Sequence, residues 1–116
     1  MAGFIDLEVW KRSARLSAML YQELSQLKDW GFRDQLTRSG LSVPSNIAEG
    51  HERGSSERDF SRFLKIAKGS CGEARTQIYI GIEAGYIDRT VGMEWLDEYE
   101  QITKMLMSLI KKLESR

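Results

Sequence analysis

The chain is 116 residues long, the length of one domain built around a single hydrophobic core. Seventeen Lys and Arg balance seventeen Asp and Glu, so no global field draws the protein toward nucleic acid or an anionic membrane, and any such binding has to rest on a local patch. Cys71 is the only cysteine, which excludes an intramolecular disulfide, and no apolar run approaches the roughly 18 residues of a membrane span. Nothing at the amino terminus resembles a secretory leader, so a soluble, cytoplasmic protein is expected.

One proline, 41% apolar residues and the lack of strand-like alternation predict an all-α fold with residues 1–116 as one domain. Leu7, Trp10, Ala14, Ser17, Tyr21 and Leu24 recur at spacings of three and four, predicting a first helix from about Leu7 to Lys28 with these residues as its seam. A turn follows around Asp29-Trp30-Gly31. The second seam is Leu36, Gly40, Val43, Ile47 and Gly50, with Pro44 in mid-helix. Proline there removes a backbone hydrogen bond and crowds the carbonyl four residues back, so a kink or a restart is expected, with Ser42, Ser45 and Asn46 as candidates to satisfy the freed groups.

Gly54-Ser55-Ser56 is the next break, and Ser56 ahead of Glu57 and Asp59 reads as an N-cap with negative charge in the first turn. The third helix has a core face of Phe60, Phe63, Leu64, Ala67, Cys71, Ala74, Ile78 and Ile82. Away from that face lie a basic strip, Arg58, Arg62, Lys65 and Lys68, and a separate apolar edge at Ile66 and Ile80. Gly85-Tyr86-Ile87-Asp88 is the third turn. The last helix runs from about Arg89 to Leu113, with Trp95, Tyr99, Ile102, Leu106, Leu109 and Leu113 as its seam and Met105, Met107 and Ile110 widening the apolar arc. Short connections between four helices predict an antiparallel up-down four-helix bundle. Gly40, Gly50, Gly69, Gly72 and Gly81 fall inside helical patterns at roughly 1 kcal/mol each relative to alanine, and close helix packing is the expected reason.

Asp6-Leu7-Glu8-Val9-Trp10, the block from Ser42 to Gly50, and the third-helix set Phe60, Arg62, Phe63, Leu64, Ile66, Ala67, Gly69, Ser70, Glu73, Thr76 and Gln77 resemble the 23S ribosomal RNA intervening sequence proteins nearly end to end. Gly-Tyr-Ile-Asp at positions 85–88 is similar to that family's last turn. The resemblance implies an antiparallel four-helix bundle that assembles as a ring-like homo-oligomer, typically a pentamer, without an established catalytic activity. It also implies kinship with the basic accessory partners of reverse transcriptases in diversity-generating retroelements. This chain departs from its relatives in two ways: it is neutral, and Cys71-Gly72-Glu73-Ala74-Arg75 is smaller than their leucine-rich version, so core volume has to come from elsewhere.

Chemistry-bearing residues are sparse. His51 and Cys71 are single, so a zinc site would need carboxylates and no metal site is assigned. A Cys-His nucleophilic pair would require contact between different helices, and Cys71 on a core face is better read as packing. Lys68-Gly69-Ser70-Cys71-Gly72 lacks the residue order of a phosphate loop. Asn46, Glu49, Glu52 and Arg53 gather polar groups near the proline, where a carboxylate in a cleft could act as a base, but solvated helix-end charge is the better reading of them. The strip Arg58, Arg62, Lys65 and Lys68 is the candidate nucleic-acid contact, its alternative being an ordinary solvated face. Ile66, Gly69, Tyr79 and Ile80 are the candidate oligomer interface.

The leading expectation is therefore a non-catalytic homo-oligomer that binds RNA or a ribonucleoprotein, with no cofactor, membrane or small-molecule substrate. The alternative is a protein-binding adaptor using Glu94, Asp97, Glu98 and Glu100 on the last helix. An enzyme working through Glu49 or Glu73 is the third reading.

Overall fold

The structure, a computed structural model, describes residues 3–4, 7–53 and 56–115. Asp6 of the first family motif and Gly54-Ser55 of the expected break lie outside the described residues. Four helices follow one another: α1 (Glu8–Glu23), α2 (Trp30–Arg53), α3 (Glu57–Glu83) and α4 (Arg89–Glu114). Each packs on its neighbours in sequence, and α4 closes back on α1, giving a bundle of about 45 × 21 × 21 Å.

Three carboxyl or hydroxyl caps set where helices begin. Asp29 Oδ1 accepts from Phe32 N at 3.1 Å, Ser56 Oγ from Asp59 N at 3.1 Å, and Asp88 Oδ2 from Val91 N at 3.1 Å. Asp29 is thus the cap of α2, and Trp30, expected in the turn, is its first helical residue. The other Asp29 oxygen accepts from the Tyr86 hydroxyl at 2.8 Å, tying the α1–α2 and α3–α4 turns together at one end. These two bonds hold the Asp29 carboxyl below the usual carboxylate range. Beyond α3 the chain turns on Gly85 at φ +79°, and the Tyr86 and Ile87 amides both donate to the Gly81 carbonyl.

The expected second, third and fourth seams meet at the core. Leu36, Val43, Ile47, Leu64, Ala67, Cys71, Ala74, Ile78, Trp95, Tyr99, Ile102 and Leu106 are buried, while Phe60, Leu109 and Leu113 are half-buried. Ile110 is buried in place of Leu109, and Met107 is exposed. The small Cys71 and Ala74 lie in a core that also holds Trp95 and Tyr99, so the missing volume is supplied by large side chains of α4.

α1 differs from its expected seam. Val9, Ser13, Leu16, Ser17 and Leu20 are buried, Trp10 and Ala14 are half-buried, and Tyr21 is exposed. The buried face is turned from the expected one because it includes Ser13, whose hydroxyl donates to the Trp10 carbonyl and so needs no outside partner. The helix also ends at Glu23, five residues short of Lys28, and Leu24 returns to the core from the turn.

α2 is continuous through Pro44, without a restart. The ring leaves the Gly40 carbonyl without its usual donor. The Asn46 amide donates instead to the Ser42 carbonyl at 2.9 Å and to its hydroxyl at 3.0 Å, while Ser45 is exposed. Gly40 itself is pressed against the core: a Cβ there would meet Leu20 Cδ1 at 2.6 Å. Gly50 and Gly81 are equally confined, by Phe63 and by Ile87 with Phe32.

Candidate nucleic-acid and assembly surfaces

α3 distributes the expected strip over two environments. Arg62 donates from its Nε and a terminal nitrogen to Asp59 Oδ1, at 3.2 and 3.0 Å, and its guanidinium lies 4.5 Å from the Phe63 ring centroid. Lys65 pairs with Glu114 of α4 at 2.6 Å. That ammonium, with the Ser61 hydroxyl, holds the Glu114 carboxyl below its ordinary value. Arg58 and Lys68 carry no ion pair within the described residues, so two of the four expected cations are already neutralised at short range.

A cation that sequence reading missed compensates. Lys65, Lys68 and Lys111 line an open groove of about 1030 Å³ between α3 and α4, with Gly69, Met107 and Ile110 as its apolar floor and Glu114 as its one carboxylate. Lys111 lies in the last turn of α4, some forty residues from the strip, and only antiparallel packing of α3 on α4 brings it there. The groove's continuation toward the other end is lined by Arg75, Thr76, Tyr79, Met93, Asp97 and Glu100.

The candidate interface residues also part company. Ile66 and Ile80 are exposed on the outer surface of α3, Gly69 stands where that surface meets the α3–α4 groove, and Tyr79, 60% exposed, lines the groove's continuation beside Met93. Gly69 and Gly72 have nothing within 4 Å of where a Cβ would stand, so packing inside the chain explains neither. This corrects the expectation that close packing accounts for every helical glycine.

Of the remaining candidates, Cys71 is fully buried and burial pushes its thiol up to about 11, which keeps it protonated and a poor nucleophile. His51 sits edge-on to Phe60 with Nδ1 buried and without a hydrogen-bond partner. Among the described residues no three His, Cys, Asp or Glu side chains gather as a metal site would require. Glu49 pairs with Arg53 at 3.2 Å, and Glu73 is exposed. On α4, Glu98 is gripped by Arg12 through two bonds of 2.6 and 2.9 Å and Glu100 pairs with Lys104, so the expected acidic docking surface retains Glu94 and Asp97. No described helix is long and apolar enough to cross a membrane.

Fold and surfaces together define a small all-helical bundle whose distinctive chemistry is on its outer faces. The chain belongs to the 23S rRNA-intervening sequence protein family, whose model matches residues 5–108. It is also similar to a crystal structure from Bacteroides thetaiotaomicron, a protein of unknown function from the S23 ribosomal protein family. The two share 29% identity over 89% of this chain and 98% of that one, with a TM-score of 0.82. No curated protein matches the chain.

Proposed function

We propose that the protein is a non-catalytic homo-oligomeric scaffold that binds RNA, alone or within a ribonucleoprotein, through the basic end of the α3–α4 groove. The observation that carries this reading is the convergence of Lys65, Lys68 and Lys111 over an apolar floor with one carboxylate among them. Cations spaced along a groove follow a phosphate backbone, and an apolar floor accepts sugar and base edges. Assembly into a ring, of five copies on the family resemblance, repeats the groove and turns a weak single contact into avid binding.

Fluorescence anisotropy with a short structured RNA at about 50 and 200 mM salt tests this, because phosphate contacts weaken steeply over that range. Wild type is expected to bind at low salt and release at high salt, and Lys68→Glu with Lys111→Glu is expected to abolish binding without altering helix content. Equal affinity of wild type and the double variant would remove the groove as the RNA site.

The adaptor reading rests on a different observation: among the described residues Glu94 and Asp97, in the first half of α4, form no ion pair. Capture of partners from lysate before and after nuclease treatment separates the two. Loss of all partners with nuclease favours RNA, and retention of a basic protein favours the adaptor.

A further inference from the structure

Ser42 of α2 and Ser70 of α3 share a hydrogen bond of 2.8 Å, and the Gly50 backbone abuts Phe63. These contacts fix which residues of the two antiparallel helices stand at the same height along the bundle. One step back along α2 is one step forward along α3, so Leu41 stands level with Cys71. It is therefore level with the exposed stretch of α3 that Gly69 and Gly72 leave without side chains. Leu41 is itself 46% exposed. It lies about 100° around α2 from Ser42, hence away from the α3 of its own chain. Gly69 likewise lies about 100° around α3 from Ser70, away from its own α2. One molecule thus carries an exposed knob and, on a different face at the same height, an uncovered hollow.

Charges at the same heights agree. Glu52 stands level with the interval between Arg58 and Arg62, and Arg38 stands level with Ala74, beside Glu73. Glu52, Arg58 and Glu73 have no ion-pair partner within the described residues. Ile66 and Ile80, 43% and 51% exposed, frame the hollow. A rotation about an axis parallel to the helices preserves height. In a cyclic assembly the α2 face of one copy therefore meets the α3 face of the next with knob facing hollow and acid facing base.

We propose that a second copy of this chain covers the outer face of α3, its Leu41 entering the space left by Gly69 and Gly72, with Glu52 opposite Arg58 and Arg38 opposite Glu73. The contact joins two different patches, so it is heterologous and generates a ring when the rotation closes. It rests on the homo-oligomer reading above and assigns the faces that reading left open.

The test uses the full chain and begins with the absolute mass of the wild type by light scattering. A monomeric wild type would remove the homo-oligomer reading and this assignment with it. Given a multimeric wild type, the double variant Leu41→Cys/Gly69→Cys is expected to form a ladder of covalent multimers on mild oxidation, Cys71 being buried and inert. Each single variant alone is expected to give none. A multimeric wild type whose double variant fails to cross-link places the interface elsewhere, and a Gly69→Cys single variant that forms a dimer shows a two-fold contact instead. Either result overturns the assignment while leaving oligomerisation intact. As a second readout, Leu41→Asp is expected to reduce the mass to that of a monomer with its helical circular dichroism unchanged, and full mass retained would count against the knob.

Discussion

A Cβ added at Gly50 would stand 2.6 Å from Phe63 Cβ and 3.0 Å from Phe60 Cδ1, and one at Gly69 would stand in open space. The same substitution should therefore have opposite signs at the two positions. Gly50→Ala forces α2 away from α3 and is expected to destabilise the fold by about 1–3 kcal/mol. Gly69→Ala improves helix propensity with nothing displaced and is expected to stabilise the fold by about 0.5–1 kcal/mol. Urea denaturation of the two variants at low protein concentration checks this, and a loss of stability at Gly69 comparable to that at Gly50 would show a neighbour that the described residues do not contain. Tyr99 offers a third test. Its hydroxyl is buried without a hydrogen-bond partner, and burial pushes its pKa above the ordinary phenol value. Tyr99→Phe removes a polar group that gains little and is expected to leave stability unchanged or raise it by about 1 kcal/mol. A clear drop in urea midpoint would mean that the hydroxyl is satisfied.

At the scale of elements, α2, α3 and α4 were legible because apolar residues at helical spacing declare a buried face without help. α1 was less so. Its buried face includes Ser13, which a hydropathy pattern assigns to solvent, while the exposed Tyr21 imitates a core residue. Beside the shared apolar core, a polar clamp joins α1 to α4: Arg12 donates to Glu98 by two bonds and to Gln101 by a third of 2.7 Å. No pattern within α1 or α4 alone could reveal a pairing across 86 residues. The arginine holds the Glu98 carboxyl below its ordinary 4.5, chiefly through the side-chain hydrogen bond. A carboxyl with a depressed folded-state value contributes stability that is present above the unfolded value and lost as pH falls through the folded one. The α1–α4 junction should accordingly be intact at pH 6 and weaken once pH drops below about 4.5, by about 1 kcal/mol because both side chains are partly solvated. Glu98→Gln should lose that stability at neutral pH and flatten the acid dependence. A variant with the acid dependence of wild type would assign it to other carboxylates.

At the scale of the whole molecule, a net charge of zero conceals a polarised face. Antiparallel packing sets the basic first half of α3, with Arg58, Lys65 and Lys68, beside the basic last turn of α4, with Lys111 and Lys112. It also sets the second half of α3 beside Asp97 and Glu100. Summing charges along the chain cancels the two ends, which is why the sequence argued against a phosphate-binding field that the fold nonetheless concentrates at one end. The consequence is an asymmetry between the ends in RNA binding. If Lys68 and Lys111 each meet a phosphate, the logarithm of affinity should fall with the logarithm of salt at a slope of about −1.4 per subunit on single-stranded RNA, from about −0.7 per phosphate contact. Replacing Glu94 and Asp97 by Gln and Asn at the far end removes repulsion without touching the groove. It should raise affinity severalfold at about 50 mM salt, where the screening length exceeds 10 Å, and have little effect at 200 mM, while leaving the slope unchanged. A slope that steepens in this variant would mean that phosphates also reach the acidic end, and RNA would then run the length of the face instead of stopping at its basic half.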